Sequence, residues 1–223
     1  MGVTDQATQE RWLYGGDPDA VPTQDDITHE HFRTPLWVID AAIRLITWIP
    51  SDCPLRILDA GAGNDARWGV GAKTRWPSSQ LTAVEARAVP AAAAVDRWVH
   101  ASLFDSWDPE PYDLIVTNPP FSRSLDWAQW CIAHCAPGGT ILLYMRNAFG
   151  HGWRRYSQLH RQQPFAIEGK LVQRPVHEHG SSDRAQEYSC YYWRDPWPNA
   201  TPDPIIKWLS RVDLPPEQQQ SFL

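Results

Sequence analysis

The segment best suited to chemistry is Thr117-Asn118-Pro119-Pro120-Phe121, at the end of the apolar stretch YDLIV. Proline donates nothing to a strand ladder and two in a row stiffen the chain, so the strand stops there and presents a rigid lip. Such a lip can activate an aromatic amine. The exocyclic amine of adenine is a poor nucleophile because its lone pair is delocalised into the ring. If Asn118 Oδ1 and the Pro119 carbonyl each accept one N–H, the nitrogen is drawn toward tetrahedral geometry and its lone pair is freed to attack an electrophilic methyl. Phe121 would then stack on the face of the base, as an aromatic does when a nucleotide leaves its helix.

A second constellation lies upstream. The apolar LRIL breaks into Asp59-Ala60-Gly61-Ala62-Gly63, and the next apolar run ends at Glu85, 24 residues after Gly61. Glycines let a backbone approach a ligand closely, and a carboxylate at the neighbouring strand end can accept both hydroxyls of a ribose. A dinucleotide-binding turn prefers a third glycine three residues after Gly63, where Ala66 is a tolerated substitute, so spacing alone leaves that reading open. Asp59, which that reading does not require, suits a ligand carrying a positive amino group. A structural turn with an incidental acid is the other alternative.

Strands and helices must carry these residues. Val38, Ala41, Ala42, Leu45 and Ile49 recur at helical spacing in the Pro35 to Trp48 run, with Thr34 able to cap and Pro35 in the first turn. A buried strand (Leu55 to Leu58), the glycine turn and a helix near Asp65 to Trp76 follow. Then come a strand over LTAVEA, a helix over Ala88 to Asp96, a short strand over WVHAS and a strand over YDLIVTNPP. A helix over Ser124 to Cys135, a strand over GGTILLYMR and a helix over Gly152 to Arg161 complete the alternation. FAIEGKLVQ and EYSCYYWR read as final strands joined by the polar EHGSSDRAQ. Alternating strands and helices predict a parallel α/β sheet covered on both faces, with ligands at the carboxyl ends of strands near the switch point.

On these motifs the sequence resembles S-adenosylmethionine-dependent amino-methyltransferases of the adenine-N6 DNA type, in particular the compact versions found in bacteriophages. The resemblance runs from about Phe32 to Arg194 and implies a Rossmann-like, seven-stranded, mostly parallel methyltransferase sheet. It implies S-adenosylmethionine as cofactor, held by Phe32, Thr34, Pro35, Asp59, Gly61, Gly63, Glu85 and Asn118, and catalysis by Asn118, Pro119, Pro120 and Phe121. Where the family usually has an acid after the third strand to read the cofactor's adenine, this chain has Ser102, with Asp105 three residues on. The resemblance implies methyl transfer to adenine in DNA. RNA bases, a protein glutamine amide, and a catalytically inactive binding module are the alternatives. No segment is long enough for a separate target-recognition region, so a short or relaxed sequence preference is expected.

The chain has 223 residues, a length for one globular unit with decorations. Its acidic, turn-rich residues 1–31 read as an arm, 32–194 as the domain, and 195–223, with six prolines, as a tail outside the core. The net charge of −6 sits entirely in the arm, and the remainder balances at zero. Residues 146–174 nevertheless carry a local +5, which makes Arg146, Arg154, Arg155 and Arg161 candidates for phosphate contact, a solvated surface being the alternative. Phosphate contacts position a polymer without reading its sequence. His177 and His179 lack a third ligand at metal spacing, so no metal is expected. Four cysteines without framework spacing, no secretory leader and no long apolar run point to a reducing cytoplasm, in the host if phage-encoded. Cys131, Cys135, Trp37, Trp48, Trp127 and Trp130 fall on helices and read as packing residues.

Overall fold

A computed structural model of the chain describes residues 33–105, 107, 109–175, 187–194 and 204–211. The acidic arm, Phe32, and the loop bearing His177 and His179 lie outside the described residues. Eight strands form one sheet: β1 (Arg56–Ala60), β2 (Gln80–Glu85), β3 (Arg97–His100), β4 (Tyr112–Thr117), β5 (Cys135–Arg146), β6 (Ile167–Leu171), β7 (Tyr188–Arg194) and β8 (Ile205–Leu209). Their order is β3-β2-β1-β4-β5-β7-β6-β8. Strands β3 to β5 are parallel, β7 runs antiparallel to both β5 and β6, and β8 returns parallel to β6. The chain therefore winds outward from β1 to β3 and crosses back to place β4 on the other side of β1. A crevice opens where the winding direction reverses, at the carboxyl ends of β1 and β4.

Alternation along the strands builds two cores. Ile57, Leu114, Val116, Leu142 and Tyr144 face the layer that contains α1 (Leu36–Arg44) and α2 (Arg67–Arg75). Their neighbours Leu58, Ile115, Ile141, Leu143 and Met145 face the layer of α3 (Ser124–Ala133). Since successive side chains in a strand point to opposite faces, an unbroken apolar run is what a sheet covered on both sides demands. The C-terminal strands reach back to the first helix: Tyr192 donates its hydroxyl to the Ala42 carbonyl at 2.9 Å, across 150 residues. The indole N–H of Trp48 likewise donates to Thr140 Oγ1 at 3.0 Å. All four cysteines are free thiols. Among the described residues no helix is long and apolar enough to cross a membrane.

Four local expectations change. The alanine-rich 88–96 segment is not a helix. Pro90 turns the preceding residue away from helical geometry, and the few residues left before β3 cannot offset the cost of a helix nucleus. Its Asp96 carboxylate instead accepts the Leu81 N–H at 2.7 Å and the Lys73 ammonium at 2.6 Å, which clamps the chain between α2 and β2. The tail read as non-core supplies β8, which makes the sheet eight-stranded rather than seven. Thr34 does not cap α1, whose N-cap is Pro35 without a side-chain bond. Finally, the helix expected over 152–161 is one α-turn, Trp153–Arg155, that widens into a π-turn over Tyr156–His160.

Two residues at the start of α2 carry its geometry. Ala66 sits in the left-handed region, at φ 48°, where a Cβ is crowded. Gly69 packs so closely that an added Cβ would lie 2.6 Å from Leu81 Cδ1 and 2.8 Å from Asp59 Cβ. The two sites should respond oppositely to exchange. In urea denaturation, Ala66→Gly is expected to raise the unfolding free energy by about 0.5 to 1 kcal/mol through relief of the αL crowding. Gly69→Ala is expected to lower it by about 1 to 3 kcal/mol through overpacking. An unchanged midpoint in either variant would refute the corresponding account.

Candidate functional site

At the switch point lies a cavity of about 140 Å³. The glycine turn after β1 forms one side, with Gly61 at φ 79° and Gly63 at φ 65°, where glycine is favoured. The end of β2 contributes Glu85, the turn after β3 contributes Ser102, and the loop after β4 contributes Asn118 and Pro120. Thr34 closes it from the segment before α1. Six of the eight residues that the resemblance gave to a cofactor and that fall among those described are thus Thr34, Gly61, Gly63, Glu85, Ser102 and Asn118. Pro35 and Asp59 do not line the cavity, nor do Pro119 and Phe121 of the tetrad.

Thr34 is the junction. Its hydroxyl oxygen, on a residue 2% exposed, accepts both the Trp68 indole N–H and Asn118 Nδ2, each at 3.1 Å. Binding Nδ2 fixes which way round the amide sits, so Oδ1 is the acceptor end that Asn118 can offer. The hydroxyl diverted from the helix cap therefore orients the side chain at the end of β4. On the other side of the lip, Phe121 packs against Tyr188 at 5.6 Å between centroids, and the Arg146 guanidinium lies 4.6 Å from the Phe121 ring centroid. Arg146 is thereby brought to the tetrad. Arg154 and Arg155 line a separate cleft, and Arg161 lies beyond it. The i→i+5 bonding of the π-turn, in which the Arg161 N–H reaches the Tyr156 carbonyl at 2.9 Å, breaks the seven-residue spacing expected to align Arg154 with Arg161.

Three carboxylates around the glycine turn are held in three ways. Glu85 Oε2 accepts the Gly63 N–H at 2.8 Å, and Oε1 accepts both the Arg87 N–H and Arg87 Nε at 3.0 Å. Burial works to raise its pKa, but these donors outweigh it and hold the carboxyl below its usual range. Of about four lone-pair sites on a carboxylate, three are occupied, so Glu85 has room for one further hydroxyl without displacing Arg87. Asp65 Oδ2 accepts Arg33 Nη2 at 2.7 Å and Arg67 Nε at 2.9 Å, while Arg67 Nη1 donates to the Thr34 carbonyl at 2.9 Å. Burial again opposes ionisation of Asp65, and the two guanidinium groups overcome it. Asp59 meets no cation among the described residues. Its Oδ2 accepts the Gly69 N–H of α2 at 2.7 Å, and burial pushes its pKa up to about 8, with Asp65 and Glu85 adding to the rise. It braces β1 against α2 beneath the cavity rather than displaying a charge in the wall.

Sequence reasoning missed several wall residues. Arg33, Asp65, Arg67 and Arg87 carry no spacing signal, because their pairings bring together the start of α1, the start of α2 and the end of β2. Trp127, read as packing from its helical position, is in the wall. Its indole N–H is buried with no hydrogen-bond partner among the described residues. The ring lies against the glycine turn, where a Cβ at Gly61 would come 3.2 Å from Cζ2.

No protein-family model and no curated protein matches the sequence. Solved structures do. A proposed class I S-adenosylmethionine-dependent methyltransferase from Listeria monocytogenes matches with a TM-score of 0.66 at 11% identity, over 98% of this chain and 78% of that one. The methyltransferase subunit of a type I restriction-modification system from Streptococcus thermophilus matches with a TM-score of 0.62 at 12% identity, over 81% of this chain. The aligned region spans 47% of that subunit, about half its length. A proposed RNA methyltransferase from Pyrococcus horikoshii gives 0.56 at 13% identity, over 79% and 90% of the two chains. The chain has the Rossmann-like fold of these proteins.

The uncompensated carboxyl makes stability depend on pH in a defined direction. A carboxyl with its folded pKa raised from 3.8 to about 8 binds more protons folded than unfolded, so its contribution is fully present below about pH 4 and is lost as pH rises toward 8. Asp59→Asn keeps an acceptor for the Gly69 N–H and removes the titration. The stability of Asp59→Asn relative to the parent should therefore grow between about pH 4 and 8 and level off above, as read from paired urea melts. A pH-independent difference would mean that Asp59 is ionised in the fold.

Proposed function

We propose that the protein is an S-adenosylmethionine-dependent methyltransferase acting on the exocyclic N6 amine of adenine in DNA. The observation that carries this reading is the Thr34 hydroxyl binding Asn118 Nδ2, because it commits the donor end of the amide and leaves Oδ1 as the acceptor end on a residue that lines the switch-point cavity. The residues present fit the cofactor: a glycine turn that a Cβ would crowd, one remaining acceptor site on Glu85, and the unpartnered Trp127 indole donor. Bound there, S-adenosylmethionine supplies the electrophilic methyl. Asn118 Oδ1 and the Pro119 carbonyl accept hydrogen bonds from the two amine protons and localise the lone pair, and the proton released from the methylated nitrogen leaves through Asn118 or water, so the chain's work is orientation and polarisation rather than dedicated base catalysis. Arg146, whose guanidinium lies over the Phe121 ring, places a cation beside the lip. The restriction-modification methyltransferase subunit among the similar structures favours DNA as polymer, and the RNA methyltransferase among them keeps RNA bases as the second reading.

Incubation with methyl-labelled cofactor and DNA, RNA or protein, followed by digestion, identifies the acceptor. Label on adenine of DNA is expected. Label on RNA alone or on glutamine would replace the reading, and none on any polymer would reject it. Asn118→Ala should cut turnover by roughly 10² to 10³, the usual loss for one transition-state hydrogen-bond partner, while S-adenosylhomocysteine affinity barely changes. Thr34→Val should also depress kcat, by roughly tenfold or more, since a freed amide loses its orientation, and Thr34→Ser should restore it. Near-normal turnover in Asn118→Ala would reject the role given to the tetrad.

A further inference from the structure

A second cleft, of about 280 Å³, is lined by residues that directly follow the lip in the chain. Ser122 and Arg123 come from the turn that follows the tetrad, Ser124 from the start of α3, and Gly152, Arg154 and Arg155 from the turn after β5. Three guanidinium groups meet one carboxylate there, Asp126, which lies 3.6 Å from Arg123 Nε. The arginines differ in role. Arg155 is a brace: its Nη1 donates to the Ala148 carbonyl at 2.9 Å and to the His151 carbonyl at 3.0 Å, holding the turn. Arg123 is aimed by packing, with its guanidinium carbon 4.0 Å from the Phe104 ring centroid, yet its side chain remains 49% exposed. Arg154 is exposed, with one long bond to Gln158 at 3.4 Å.

Next to Arg154 in the chain stand two exposed rings. Trp153 is 76% and Tyr156 50% accessible, and their centroids are 5.9 Å apart. A soluble protein gains nothing from leaving an indole so bare, whereas an aromatic next to guanidinium groups is the combination that holds an unpaired nucleotide, the ring stacking on the base and the cation meeting the phosphate. Position fits as well. Pro120 lines the first cavity and Ser122 the second, so no more than about 7 Å of chain separates the two walls. A nucleotide whose base were held by Asn118 and Pro119 would therefore lie next to the wall that carries Arg123.

We propose that this cleft binds the phosphodiester backbone of the target strand through Arg123 and Arg154, with Trp153 stacking on an unpaired base next to the target. The inference rests on reading the adjoining cavity as the site of amine methylation, and it selects a locally unpaired strand as the substrate form. Arg123 was not among the basic residues singled out by charge clustering, because it lies outside the 146–174 run and reaches the cleft only through the fold.

The full chain is titrated with a fluorescently labelled single-stranded 12-mer at several salt concentrations, and Arg123→Ala, Arg154→Ala, the double variant and Trp153→Ala are compared with the parent. All three side chains are solvent-facing, and matched melting curves verify folding. Each arginine variant should reduce the magnitude of the log K against log salt slope by about 0.7, and the double variant by about 1.4. Trp153→Ala should weaken binding roughly ten- to hundred-fold with an unchanged slope, and an abasic 12-mer should erase that difference. Unchanged slopes in the double variant overturn the proposal, as does absence of binding at low salt. Displacement of the oligonucleotide by polyglutamate as readily as by unlabelled oligonucleotide also overturns it, in favour of an acidic-peptide site. Predicted slopes without methyl transfer would sink the methylation reading and leave the cleft standing; normal transfer with unchanged slopes would sink the cleft alone.

Discussion

Thr117 donates its hydroxyl to the carbonyl of Ala60, and with that bond the ends of β4 and β1 are tied together across 57 residues of chain. Everything at the site depends on this adjacency. The two strands are parallel neighbours only because the intervening chain has gone out to β3 and returned on the other side. The glycine turn and the Asn-Pro-Pro lip, far apart in sequence, then face one crevice. Three further bonds refine the placement: Asp59 anchors α2 to the end of β1, and Thr34, bonded to both Trp68 and Asn118, anchors Asn118 to α2.

The acids around the glycine turn illustrate how a dry site distributes charge. Three carboxyl groups sit within reach of each other's fields, and burial alone would neutralise all of them. Arginines rescue two: Asp65 meets Arg33 and Arg67, and Glu85 meets Arg87. The third, Asp59, is left to a single backbone donor, and its neighbours' negative charge makes ionisation still harder. Carboxyl groups whose pKa is held down thus border the cavity, while the one whose pKa is raised supports its floor. The division follows from which of them the guanidinium groups can reach.

Much of the fold was legible because a sheet covered on both faces leaves continuous apolar runs, and because prolines and glycines mark the strand ends that matter. Gly61, Gly63, Glu85 and Asn118 reach one cavity as their strand-end positions suggested. What escaped reading is what tertiary contact decides. Thr34 looked like a helix cap, and local sequence cannot reveal that its hydroxyl is claimed from two other elements. The alanines of 88–96 favour helix individually but have too little room between Pro90 and β3. Prolines in the tail masked Ile205–Leu209, a strand that exists because β6 offers it an edge. Asp59, placed by type and spacing where a charged ligand could meet it, is turned inward by the N–H of Gly69.

The bond from Tyr192 to Ala42 also bears on how the molecule comes into being during translation. Chain is made from the amino end, and domains fold as their partners emerge from the ribosome. The strands β1 to β4 can pair early, but α1 shares its core with Tyr188, Cys190 and Tyr192, and Tyr192 is made 150 residues after its partner Ala42. Until that bond can form, the helix that follows Thr34 has only part of its seat, although β1 to β4 can already be paired beneath it.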